Sequence, residues 1–165
     1  MADSLIDLIK VLRDRTGAGL MDCKGALLAC DQDIDKATDY LREKGLAKAV
    51  KKADRIAAEG LALAVVCPEC GKTVVLEVNC ETDFVAKGDD FKAFVTNIAN
   101  TILKNDPKDL DAAKALCTEL FTDATVKMGE KFDLRRFVVL NRQEGNIGTY
   151  IHMGGKIAVA VVLDK

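Results

Sequence analysis

The hydrophobic period of this chain changes near Gly60, and that change most restricts its fold. Before it, apolar residues recur at helical spacing; after it, they gather in short strand-like runs. Leu5, Leu8, Ile9 and Leu12 share one helical face, with Ser4 and Asp7 placed as a capping box. Gly17 and Gly19 interrupt that helix. A second follows through MDCKGALLAC, where Met21, Leu27 and Leu28 are apolar and Gly25 costs roughly 1 kcal/mol against alanine. Asp33 caps a third helix carrying Ile34, Ala37, Thr38 and Leu41, and Gly45 is expected to stop it. Residues 1–45 therefore read as a three-helix module whose thin core gains by docking on something larger. Residues 46–60 read as a basic helical connector bearing Lys48, Lys51, Lys52 and Arg55, suited equally to a partner-facing surface or a solvated face.

From Leu61 the runs LALAVV and TVVLEVN flank CPECGK, a hairpin signal. The helix DDFKAFVTNIANTILK follows, with Phe91, Phe94, Val95, Ile98 and Ile102 on its buried stripe. Pro107 interrupts it, and DLDAAKALCTELF reads as one further helix. Three strand-like runs close the sequence: FDLRRFVVL, IGTYIHM and KIAVAVVL. The last is continuously apolar and predicts cover on both faces. The class is α+β: helices first, then antiparallel strands packed with helices. Residues 61–140 form the first half of that core, and 141–165 open a second, incomplete half.

Composition narrows the function. A net charge of -2 and a pI near 5.5 argue against a nucleic-acid surface. No window approaches the roughly 20 apolar residues of a membrane span. The acidic start MADSLIDLIK is unlike a secretory or transit leader, so a cytoplasmic location is expected. Six cysteines then suggest reduced thiols rather than a disulfide framework. Cys67 and Cys70 have the spacing of half a zinc site or of a redox pair. A closed zinc site needs four ligands, and Cys23, Cys30, Cys80 and Cys117 supply no second CxxC. The single histidine, His152, leaves little for a catalytic triad, and neither GxSxG nor a phosphate loop is present. The expectation is a binding protein, not an enzyme, with no cofactor of its own.

One stretch stands apart. NCETDFVAKGDD, residues 79–90, follows an apolar run and places Phe84 in an acidic setting, in a chain with six phenylalanines and two tyrosines. Such a residue either folds back into the core or points outward as a wedge.

EVNCETDFVAK, residues 77–87, resembles a signature of the elongation factor Ts family. LRDRTGAGLMDCKGAL, residues 12–27, resembles that family's N-terminal signature, and KMGEKFDLRRF and GTYIHMGGKIAVAV continue the likeness in order. The resemblance implies a guanine-nucleotide exchange factor that binds elongation factor Tu, GDP-bound or nucleotide-free, and acts by binding. It implies an N-terminal module of ubiquitin-associated type, with partner contacts at Arg13, Leu20 and Met21. It further implies that Thr82, Asp83, Phe84 and Val85 disturb the partner's Mg²⁺ and phosphate site. Met128, Gly129 and His152 match other family contacts. From the residues alone, Leu20 and Met21 are expected to seal the small bundle rather than to face a partner, and Arg13 to be a solvated charge.

Most relatives continue past the KIAVAVVL strand, so a C-terminally short member is expected. Its apolar last strand makes a homodimer one expected state. Two other readings remain open at this point: a docking fragment that does not drive exchange, and a zinc or redox protein using Cys67 and Cys70.

Overall fold

The computed structural model describes residues 4–141 and 146–163. Of the segments read above, residues 1–3, 142–145 and 164–165 lie outside that description. The chain divides into two compact units: the residues up to Asp54 with Phe121–Lys131, and Arg55–Leu120 with the residues from Phe132 onward.

The first unit is helical. Helix α1 (Leu5–Thr16) starts at Ser4, whose Oγ accepts the Asp7 N–H at 3.3 Å and donates to the Asp7 carboxylate at 2.7 Å. Gly17, at φ 67°, ends it by returning its N–H to the Arg13 carbonyl. Helix α2 (Leu20–Ala29) and helix α3 (Ile34–Lys51) follow, the latter capped by Asp33. Leu12, Ala18, Cys23, Ala26, Leu27, Ala37 and Leu41 form their shared core.

The expected stop at Gly45 is corrected here, because α3 runs through it to Lys51. The physical reason is packing. A Cβ at Gly45 would lie 2.5 Å from Val126 Cγ2 and 3.3 Å from the Thr122 carbonyl oxygen. The glycine is a notch that admits a neighbouring helix, and close contact offsets its poor helix propensity. The basic stretch that follows is thus helical only as far as Lys51.

The second unit is built on an antiparallel sheet in the order β1-β2-β3, with β1 (Glu59–Cys67), β2 (Lys72–Cys80) and β3 (Asp133–Asn141). Central strand β2 buries Val74, Leu76, Val78 and Cys80 at alternate positions, as period-two patterning requires. Gly60, at φ 148°, leaves no room for a side chain against β2: a Cβ there would collide with the Val78 carbonyl. Along the sequence between β2 and β3 come α4 (Asp83–Lys87), α5 (Asp89–Asn105), α6 (Leu110–Leu116) and α7 (Thr118–Met128), of which α7 from Phe121 onward belongs to the first unit. Helix α5 packs on β1 and β2 through Phe91, Phe94, Val95, Ile98, Ala99 and Ile102. Phe132 stacks on Phe91 at 5.8 Å and meets Phe94 edge-on at 5.3 Å. The single helix expected over residues 109–121 is two, because α6 caps at Cys117 and α7 continues to Met128. Burial there pushes the Cys117 thiol up.

Strands β4 (Asn146–His152) and β5 (Ile157–Leu163) form a separate two-stranded ribbon. It is tied to β1 by the Ala62 N–H, which donates to the Gly155 carbonyl at 2.7 Å, and by a Lys156–Glu59 ion pair at 2.7 Å. The expected cover on both faces of β5 is overturned: Ile157, Val159, Val161, Val162 and Leu163 are exposed. Among the described residues, its one ladder partner is β4.

Candidate partner-docking site

The TDFV segment is a capped turn of helix, an element the sequence reading did not foresee. Thr82 is its N-cap, with Oγ1 accepting the Val85 N–H at 3.3 Å while its carbonyl accepts from Ala86 at 3.1 Å. Gly88 closes α4 by donating its N–H to the Val85 carbonyl at 2.9 Å, and it also serves as the N-cap of α5. Ala86 is buried and Val85 half-buried, so the inner side of the turn is fixed to the core. On the outer side Phe84 is 85% exposed, the most exposed large apolar side chain among the described residues.

Charge frames that phenyl ring. Asp83 and Lys87 pair at 2.6 Å across one turn. The Lys87 hydrogen bond and charge hold the Asp83 carboxyl below the ordinary aspartate range; Lys156 on the β4–β5 turn adds a smaller pull. The same contact raises Lys87. Both groups are fully exposed, so the pair orients side chains more than it stabilises the fold. Glu81 accepts from Arg55 at 3.1 Å, which ties the end of β2 to the chain entering β1. Thr82, Ala86 and Lys87 thus position the presented pair Asp83–Phe84. Their signals were legible as a threonine three residues before Val85 and as an Asp–Lys pair at i, i+4.

His152 ends β4, exposed, with Nδ1 3.0 Å from the Tyr150 hydroxyl and its ring stacked on Tyr150. The remaining expected contacts lie in the helical unit. Leu20 and Met21 open α2 at 54% and 71% exposure, so they do not seal the bundle. Arg13 is exposed in the last turn of α1. Met128 is half-buried at the end of α7, and Gly129 follows at φ 73° with its carbonyl accepting from Lys52.

Cys67 and Cys70 pair with each other as a disulfide across the β1–β2 turn, which departs from the expectation of reduced thiols. The other four cysteines are outside disulfides. Among the described residues no group of three or more ligand-type side chains converges, and no helix is long and apolar enough to cross a membrane.

Fold and site define an α+β chain that presents apolar side chains outward on short, capped helical ends. The model of the family described as Elongation factor TS matches residues 81–165, beginning two residues before α4. Elongation factor Ts of Limosilactobacillus fermentum is 47% identical over 171 aligned residues, covering 99% of this chain and 58% of that protein. The chain belongs to the elongation factor Ts family. It spans a little over half the length of the relative it matches.

Proposed function

We propose that this chain is a translation elongation factor that binds elongation factor Tu and promotes release of its GDP without covalent chemistry. Family membership supports the partner, and one observation carries the mechanism: Phe84 stands 85% exposed on a turn whose other side is locked to the core.

An exchange factor must bind the nucleotide-free partner more tightly than the loaded one. By linkage it then weakens nucleotide binding by the same factor. Burying a phenylalanine contributes about 1.5–3 kcal/mol. If the partner opens a pocket for Phe84 only when distorted, that burial favours the distorted state by about tenfold to a hundredfold. Asp83 adds an electrostatic part. Its carboxylate is ionised and exposed, and we assign it to disturbing the partner's Mg²⁺ shell, where the ion is the largest local charge. Thr82 and Val85 hold the turn in shape. Arg13, Leu20 and Met21 on the module of residues 1–45, with Met128, Gly129 and His152, are the proposed docking contacts that bring the wedge to its target.

The test is release of a fluorescent GDP analogue from elongation factor Tu as this chain is added. Acceleration that saturates with concentration, and falls about tenfold to a hundredfold for Phe84→Ala, is the expected result. A folded chain that binds the partner yet leaves the release rate unchanged is a docking protein, and the exchange reading fails.

A further inference from the structure

The tip of the β1–β2 hairpin has no part in the exchange reading. Cys67 pairs with Lys72 across the ladder, so residues 68–71 make the loop. Gly71, at φ 65°, donates its N–H to the Cys67 carbonyl at 3.0 Å. Cys70 donates its N–H to Cys67 Sγ at 3.2 Å. These two bonds turn the loop so that both cysteine side chains leave it together, with Cα atoms 5.6 Å apart. Cys70 is exposed and Cys67 half-buried, whereas Cys23, Cys80 and Cys117 are buried.

An N–H aimed at a cysteine sulfur is strongest when the sulfur is a thiolate, because the bond becomes charge-assisted. Such donors behind a thiolate are the usual support of a metal ligand. The C-x-x-C spacing suits two corners of a tetrahedral Zn²⁺ site, and soft thiolates select that ion over Mg²⁺ or Ca²⁺.

We propose that Cys67 and Cys70, once reduced, are half of a tetrahedral Zn²⁺ site that a second copy of this chain completes with the same two residues. Among the described residues no third ligand joins the pair. A two-fold axis at a projecting loop supplies an identical pair of sulfurs and asks for no other complementarity. A thiol reductant of the glutathione or thioredoxin class supplies two electrons and two protons to open each disulfide. Zn²⁺ then forms two Zn–S bonds per chain and displaces those two protons.

The test is a Co²⁺ titration of the full chain under a phosphine reductant, read by absorbance and by sedimentation. Thiolate charge-transfer and tetrahedral ligand-field bands should saturate at one ion per two chains, with the sedimenting mass doubled. Zn²⁺ should displace Co²⁺, and a chelator should restore the single-chain mass. Cys67→Ser and Cys70→Ser should each abolish the bands and the mass change while the circular dichroism stays that of the parent. One ion per chain without a mass change would overturn the proposal. So would a dimer that survives chelation, or a reduced, folded chain without thiolate-bound Co²⁺.

Discussion

Phe84 and Phe91 are seven positions apart, on successive helices of one unit, and they have opposite fates. Phe91 is 0% exposed, packed by Phe94 and Phe132 over the sheet; Phe84 is 85% exposed. Residue type does not explain the difference. Helix α5 is 17 residues long and its apolar stripe repeats often enough to lie along two strands. Helix α4 has five residues, and only one side of it, through Ala86 and partly Val85, reaches the core. A long amphipathic helix is held by its buried stripe, whereas a single turn is held by its caps. The backbone beneath a side chain on the outer side of such a turn is held in place while the side chain stays exposed. That combination suits a wedge, since the segment carrying it needs no further backbone ordering on binding.

The largest expected effect separates the two residues on stability alone. Phe91→Ala should lower the unfolding free energy by about 3–5 kcal/mol in urea denaturation, as deletion of a packed core ring does. Phe84→Ala should leave it within about 0.5 kcal/mol, as an exposed site does. Equal losses would erase the contrast on which the account rests.

A smaller effect tests the caps. Thr82→Ala removes the acceptor for the Val85 N–H and should cost about 1 kcal/mol, confined to α4. Hydrogen exchange at Val85 and Ala86 should quicken while α5 stays protected. GDP release should slow even though Phe84 is intact, which distinguishes a ring carried on a fixed turn from a merely exposed one.

The smallest effect concerns charge. Lys87 depresses the Asp83 carboxyl below its ordinary value of 3.8. The stability this pair adds is therefore present above that value and is lost as pH falls through the depressed folded one. At near-neutral pH the carboxylate stays ionised, so exchange should show no titration from Asp83. In an NMR titration, Lys87→Ala or added salt should move the Asp83 midpoint back up.

Much of the fold was legible because long elements repeat their pattern. Leu5, Leu8, Ile9 and Leu12 marked α1, Phe91 to Ile102 marked α5, and the apolar run TVVLEVN marked β2. What escaped notice was decided by contacts distant in sequence or by very short elements. Gly45 reads as a stop until Val126 stands where its Cβ would be. Helix α4 is too short to show a period. The apolar run of β5 signals a strand, yet which of its faces is covered depends on neighbours its own residues do not name. For the site, the residues of α4 were quoted from the resemblance. Nothing in composition or spacing decides whether Phe84 folds in or points out; its exposure became visible only with the caps and Ala86 in place.

The most direct measurement is the affinity of the chain and of Phe84→Ala for elongation factor Tu in its nucleotide-free and GDP-bound forms. The account predicts that the substitution weakens nucleotide-free binding by about tenfold to a hundredfold and leaves GDP-bound affinity nearly unchanged. An equal loss in both forms would make Phe84 an ordinary docking contact and contradict the wedge.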